Sequence, residues 1–197
     1  MNLPNKITIG RIIIAVIIMV MLVLPWYSLG VSFPRFDVAG RVVVDLKYII
    51  AGVLFVIASV TDFVDGYLAR SRHLVTDFGK VMDAIADKIL VNGLLIILAH
   101  DGFIPVAVPV IIITRDIFVD AFKMISGNKG KVVAASIWGK AKTMCMMIGM
   151  TLTMFYNLPF ELFNFNFSGL LILVATVLSV ISGCQYYYGA KKFMAQK

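Results

Sequence analysis

Long runs of apolar residues, separated by short polar segments, extend along the whole chain. A helix needs about 20 predominantly apolar residues to cross the hydrocarbon core of a bilayer, so these runs are candidate membrane spans. They are continuous rather than alternating with polar residues, which argues against the strands of a membrane β-barrel. Six runs are present, at residues 8–25, 48–61, 89–99, 103–114, 143–156 and 168–186. They predict an all-α fold: an integral membrane bundle of six transmembrane helices in a single domain covering residues 1–197.

Composition supports a membrane protein. Of the 197 residues, 60% are hydrophobic and 15% are charged, whereas a soluble domain is roughly half apolar and about a quarter charged. This excess excludes a disordered chain and a disulfide-rich scaffold. The formal net charge of +7 would suggest nucleic acid as the partner of a soluble protein. In a membrane protein, orientation and anionic lipid headgroups explain it better, so we expect membrane lipid and no nucleic acid as partners.

Basic residues concentrate in four segments that lie on one side of the membrane if the chain crosses it six times. These segments contain Lys6, Arg11, Arg70, Arg72, Lys80, Lys123, Lys129, Lys131, Lys140, Lys142, Lys191, Lys192 and Lys197. The positive-inside rule places them in the cytoplasm. We therefore expect a multi-pass protein of the cell (plasma) membrane, with both termini and the active site on the cytoplasmic side.

An acidic cluster stands out in a chain with only 11 acidic residues. Asp62 and Asp65 are three residues apart, and Asp83 and Asp87 are four apart, so each pair shares one face of a helix. Two antiparallel helices can therefore aim four carboxylates at one point. Carboxylates near a membrane are costly unless a cation or water compensates them. Four oxygen ligands without His or Cys suit hard cations such as Mg²⁺ or Mn²⁺.

The order of residues around this cluster resembles the signature of the CDP-alcohol phosphotransferase family. The segment begins Asp62-x-x-Asp65-Gly66-x-x-Ala69-Arg70, and after eight residues it continues with Gly79, then Asp83 and Asp87 at intervals of four. The opening of the chain is also similar to that of the family at four positions: Pro4, Asn5, Thr8 and Arg11. Six spans and cytoplasmic termini are similar to the family's fold.

The resemblance implies a homodimeric enzyme that uses CDP-diacylglycerol, releases CMP and holds two divalent cations, Mg²⁺ or Mn²⁺. It implies four metal ligands: Asp62, Asp65, Asp83 and Asp87. It also implies seven residues around the CDP moiety: Asn5, Thr8, Asp62, Gly66, Ala69, Arg70 and Asp83. Asp87 would in addition be the catalytic general base that takes the proton of the acceptor hydroxyl, a role that a carboxylate within hydrogen-bond reach can perform.

A second group of polar residues interrupts the fourth run and precedes the fifth. Arg115 lies inside an apolar run, where an arginine is expensive and is a functional candidate. Lys123, Lys140 and Lys142 follow, and the four basic residues together could bind a phosphate on the acceptor. The alternative for Arg115 is an ion pair inside the bundle, and the alternative for the lysines is anchoring on the cytoplasmic side.

These segments are similar to the second signature of the phosphatidylglycerophosphate synthases within the family. The core Gly139-Lys140-x-Lys142-Thr143 is intact. Four positions differ from that signature: Asp116 replaces Glu, Asp120 replaces Ser, Lys123 replaces Arg and Met146 replaces Gln. The resemblance implies sn-glycerol 3-phosphate as the acceptor and phosphatidylglycerophosphate as the product.

Two alternatives remain at this point. One keeps the reaction class and changes the acceptor to phosphatidylglycerol, inositol phosphate or serine. The other is a cation transporter that uses the Asp cluster as its ion site. A transporter is expected to carry polar residues near the membrane midplane and in broken helices, whereas here they gather toward the cytoplasmic side.

Overall fold

A computed structural model describes residues 3–38, 40–71, 77–128 and 137–194 of the chain. The described part is mostly helical, and each of the six apolar runs has a helix of its own. The helices are α1 (Leu3–Val23), α2 (Leu46–Ser71), α3 (Asp77–His100), α4 (Ala107–Asn128), α5 (Ile137–Met154) and α6 (Phe167–Met194). Two short 3-10 helices, Trp26–Leu29 and Phe160–Phe163, lie in the connections.

The six helices pack as a closed ring. α1 packs against both α2 and α3, α6 packs against both α4 and α5, and contacts between α2 and α5 and between α3 and α4 join the two groups. Large apolar side chains fill the centre, among them Phe55, Leu94 and Met150, and alanines such as Ala15 and Ala175 are fully buried. Small residues let helix backbones approach closely in a membrane bundle.

A β-hairpin precedes α2 and departs from the all-α prediction. Its strands are β1 (Arg35–Val38) and β2 (Val42–Asp45), paired antiparallel with Val38 opposite Val42. Gly40 in the connection has a φ of +65°, a conformation that glycine adopts without steric cost. The strands are only four residues long, too short for a reliable alternating pattern in the sequence.

Within the described residues, three helices are long and apolar enough to cross a membrane, over Asn5–Val23, Leu46–Val64 and Phe167–Gly189. The outer surface of the bundle carries many large apolar side chains, such as Ile13 and Val177. Several apolar helices with apolar outer faces indicate a membrane protein. In α3, α4 and α5 the apolar segments are shorter, because one end of each helix carries the charged residues of the candidate site.

The polar segment between the fourth and fifth runs is more helical than the sequence indicated. Lys123 lies within α4, and Lys140 and Lys142 lie within α5, rather than in a loop. The positions Arg72, Lys129 and Lys131 lie outside the described residues. Lys123, Lys140 and Lys142 therefore project from two helices, where the backbone fixes their spacing.

The contact between α5 and α6 depends on Gly149. A Cβ atom at this position would lie 2.8 Å from Cγ1 and 3.3 Å from the backbone nitrogen of Ile172. We expect Gly149→Ala to destabilise the protein by about 1–3 kcal/mol, since overpacking forces the backbones apart. The measurement is the thermal unfolding midpoint in detergent. Gly127→Ala is the control because, among the described residues, its Cβ position has no tertiary contact within 4 Å; equal midpoints for the two variants would contradict the expectation.

Candidate active site

The guanidinium of Arg11 joins the two halves of the acidic cluster. Its Nη1 donates to Oδ1 of Asp62 on α2 and, at 2.8 Å, to Oδ1 of Asp83 on α3. Arg11 is 2% exposed, while the side chains of Asp62 and Asp83 are 37% and 52% exposed. The carboxylates that the sequence placed on two helices therefore converge, and the cation between them comes from α1, which packs against both helices.

The other residues predicted for the metal and the nucleotide lie on the same three helices. Asn5 and Thr8 are buried on α1, six and three residues before Arg11. Gly66 on α2 and Gly79 on α3 are half-buried. Three further positions belong to α2, but their side chains lie outside the described part of the structure: Asp65, Ala69 and Arg70. Among the described side chains, no three His, Cys, Asp or Glu residues form a group that could hold a metal ion.

A cavity of about 680 Å³ lies beside this cluster. Asp87 on α3 lines it, together with Arg115 and Lys123 on α4 and Lys140 and Lys142 on α5. All four basic residues predicted to bind the acceptor phosphate therefore surround one space, and the predicted general base lines the same space. Its volume is in the range of small-molecule sites.

Asp116 holds two of these basic side chains. Its carboxylate accepts a hydrogen bond of 2.7 Å from Nη1 of Arg115 and bonds of 2.9 Å to each oxygen from Nζ of Lys142. Lys142 is only 8% exposed, and a buried ammonium is costly unless it is paired. Asp116 thus pairs with both cationic side chains and holds them close together at the cavity wall.

A family model matches most of the chain. The model for CDP-alcohol phosphatidyltransferase covers residues 1–181, a range that includes α1 to α5 and every site residue that the sequence predicted. The chain belongs to the CDP-alcohol phosphatidyltransferase family. The resemblance seen in the sequence is confirmed, and the protein is a phosphatidyltransferase.

Relatives of this phosphatidyltransferase carry one common name, CDP-diacylglycerol–glycerol-3-phosphate 3-phosphatidyltransferase. The relative from Bacillus subtilis is 40% identical over 186 residues, which are 94% of this chain and 93% of the relative. The relative from Mycoplasma pneumoniae is 39% identical over 156 residues, which are 78% of this chain and 68% of the relative. The relative from Rickettsia bellii is 31% identical over 193 residues, which are 98% of this chain and 97% of the relative.

Lys88 and Tyr186 are polar residues of the phosphatidyltransferase cavity that the sequence did not predict. Lys88 lines the cavity and forms an ion pair with Asp120, which also lies 4.0 Å from Nζ of Lys123. Tyr186 of α6 also lines the cavity. Lys88 adjoins Asp87 at the start of an apolar run, and Tyr186 is one of three consecutive tyrosines; only the packing of α3, α4 and α6 distinguishes them.

Proposed function

We propose that the protein transfers the phosphatidyl group of CDP-diacylglycerol to sn-glycerol 3-phosphate, giving phosphatidylglycerophosphate and CMP. The observation that carries the proposal is the cavity in which Asp87 and four basic side chains meet. A phosphorylated alcohol needs both groups, because its phosphate requires cationic donors and its hydroxyl requires a base. The names of the relatives from three bacterial genera support the same reaction.

The chemistry assigns a role to each half of the site. Asp87 takes the proton from the acceptor hydroxyl, and the hydroxyl oxygen forms a bond to the phosphorus that carries diacylglycerol. The bond from that phosphorus to the bridging oxygen of the pyrophosphate breaks, and CMP leaves with the electron pair. Holding both reactants in one geometry supplies a large part of the rate acceleration in phosphoryl transfer.

The acidic cluster fits divalent cations. Its donor set is all carboxylate oxygen, which suits Mg²⁺ or Mn²⁺, and two of its carboxylates already converge on one cationic group, Arg11. We assign four ligands: Asp62, Asp65, Asp83 and Asp87. When bound, two divalent cations neutralise the pyrophosphate and stabilise the attacking and leaving oxygens. The family is generally dependent on divalent metals.

The nucleotide belongs at the convergence of α1, α2 and α3. We assign its contacts to Asn5, Thr8, Asp62, Gly66, Ala69, Arg70 and Asp83. Asn5 and Thr8 lie on α1 before Arg11 and are buried, so the first helix contributes polar groups beside the two carboxylates. Gly66 has no side chain, which lets a ligand approach the backbone of α2.

The acceptor phosphate belongs between α4 and α5, with Arg115, Lys123, Lys140 and Lys142 as its ligands. Arg115 and Lys142 share Asp116, and Lys123 lies near Asp120. Two carboxylates therefore balance part of the positive charge of these four residues. The surplus favours a dianionic phosphate ester over an uncharged alcohol.

The membrane setting completes the proposal. All six helices span the cell membrane, the polar ends of α3, α4 and α5 face the cytoplasm, and the diacylglycerol tails of the donor lie in lipid between helices. The positive-inside distribution of lysines and arginines supports this orientation. Two copies of the chain form a homodimer, for which small residues in the spans permit close helix contact.

The decisive test is release of CMP from CDP-diacylglycerol by detergent-purified protein with Mg²⁺ or Mn²⁺. We expect release with sn-glycerol 3-phosphate and little with phosphatidylglycerol, inositol phosphate or serine, each offered alone and in competition. Preference for another acceptor would overturn the assignment of glycerol 3-phosphate. If no acceptor supported CMP release, the proposed reaction would be overturned. Ion flux into proteoliposomes that lack lipid substrate would instead support a cation transporter.

A further inference from the structure

One face of α6 packs against the arginine that is proposed to bind the acceptor phosphate. Ser179, Ser182, Gly183 and Tyr186 follow the spacing i, i+3, i+4 and i+7, which places them on the same side of a helix. Ser179 and Ser182 are fully buried, and Tyr186 is 7% exposed. This face of α6 meets Arg115 of α4.

Two polar groups of α6 hold the guanidinium of Arg115. Its Nε donates to the carbonyl oxygen of Ser179 at 3.0 Å, and its Nη2 donates to Oγ of Ser182 at 2.5 Å. The hydroxyl of Ser182 itself donates to the carbonyl oxygen of Ser179 at 3.1 Å. Because that contact engages the hydroxyl proton, lone pairs of Oγ are left to accept from the guanidinium, and a hydrogen bond from a charged donor is among the stronger kinds.

The missing side chain of Gly183 lets the arginine lie against α6. A Cβ atom at this position would stand 3.0 Å from Cγ and 3.5 Å from Nε of Arg115. The ring of Tyr186 lies one turn further, with its centroid 5.7 Å from Cζ of Arg115 and 5.5 Å from Nζ of Lys123. Both cationic groups are within the distance of a cation–π contact.

These contacts determine which way Arg115 can point. Ser179, Ser182 and Asp116 use three of its five N–H donors among the described residues. An arginine with a free side chain would lose conformational entropy whenever it bound a phosphate. Held in this way, Arg115 has already lost that freedom before the acceptor arrives.

We propose that Ser182 and Gly183 are positioning residues that orient Arg115 for the acceptor phosphate. The inference rests on the proposed acceptor site and adds α6 to it. Neither residue contacts the acceptor; both act through the guanidinium. Substitution of either residue should therefore weaken binding of glycerol 3-phosphate and leave binding of CDP-diacylglycerol unchanged, because the nucleotide is assigned to α1, α2 and α3.

The experiment measures KM for each substrate and kcat in the CMP-release assay. Ser182→Ala is expected to raise KM for glycerol 3-phosphate about tenfold, the scale of one hydrogen bond to a charged group. We expect Gly183→Ala to shift it in the same direction, and KM for CDP-diacylglycerol to stay within about twofold. If Ser182→Ala does not fold, Gly183→Ala tests the same inference by itself.

The matched controls are Ser126→Ala and Gly127→Ala, both on α4. Ser126 is 1% exposed, and in the described part of the chain its hydroxyl has no hydrogen-bond partner and the Cβ position of Gly127 has no tertiary contact within 4 Å. Both variants should leave the two KM values unchanged. The inference is overturned if the control variants raise KM for glycerol 3-phosphate as much as the α6 variants do. It is also overturned if the α6 variants raise both KM values equally, because the effect would then be a general loss of helix packing.

A double-mutant cycle separates this inference from the proposed function. Arg115→Gln should raise KM for glycerol 3-phosphate, and Ser182→Ala added to Arg115→Gln should change it no further, since the hydroxyl acts only through the arginine. A full additional effect in the double variant would overturn the positioning role alone. No effect of Arg115→Gln by itself would overturn the acceptor assignment and, with it, the inference.

Discussion

Asp87→Asn is expected to abolish phosphatidyl transfer while the protein remains folded. The amide has nearly the shape of the carboxylate and cannot take a proton from the acceptor hydroxyl. Loss of a positioned general base costs about 10²–10⁴-fold in rate. Asp87 is an exposed residue in the first half of α3 that lines the cavity and does not belong to the packed core, so the substitution leaves helix packing in place. The measurement is CMP release at saturating substrates, with the elution profile in detergent as the check on folding.

The control for Asp87→Asn is Asp37→Asn, the same chemical change at an exposed position of the β-hairpin. It should keep full activity. Because Asp87 is also assigned as a metal ligand, the assay is repeated over a range of Mg²⁺ and Mn²⁺ concentrations. Recovery of activity at high metal concentration would contradict the role of general base and leave Asp87 as a ligand only.

Arg11→Gln is expected to lower both activity and stability. Arg11 is buried between two carboxylates, and its removal leaves Asp62 and Asp83 to repel each other at the junction of α1, α2 and α3. Breaking a buried ion pair costs about 3–5 kcal/mol; partial exposure of both carboxylates reduces this to about 2 kcal/mol. We expect activity to fall at least about a hundredfold, because both carboxylates are assigned to the nucleotide and the metals.

Added divalent metal provides a second measurement on the Arg11→Gln variant. A cation bound by Asp62 and Asp83 would replace the lost positive charge, so added Mg²⁺ should raise the unfolding midpoint of the variant more than that of the unchanged protein. Lys6→Gln removes one charge from an exposed position of the same helix and should alter neither quantity. If Mg²⁺ shifts all three proteins equally, Arg11 does not share the carboxylates with a metal.

The helices could be predicted because they depend on local pattern. Each apolar run lies largely within one helix, and the acidic pairs share faces because three- and four-residue spacing fixes them in any α-helix. These features require no knowledge of how the helices pack.

Other features depended on packing and could not be predicted. Arg11 was matched to the family's opening, but its bridge between Asp62 and Asp83 exists because α1 packs against both α2 and α3. Lys88 joins the cavity through Asp120 of another helix. Gly183 matters only because a side chain of α4 crosses it. In each case the partner is distant in sequence, and neither periodicity nor composition identifies it.

The ring of helices divides the chain near its middle. α1, α2 and α3 carry the residues assigned to the nucleotide and metals, whereas α4, α5 and α6 carry the basic side chains assigned to the acceptor and the face that orients them. The donor half and the acceptor half are thus consecutive stretches of sequence. The four residues assigned to the acceptor phosphate all lie after about residue 107, so chimeras joined at the turn after α3 are expected to exchange acceptor preference while keeping the same nucleotide donor.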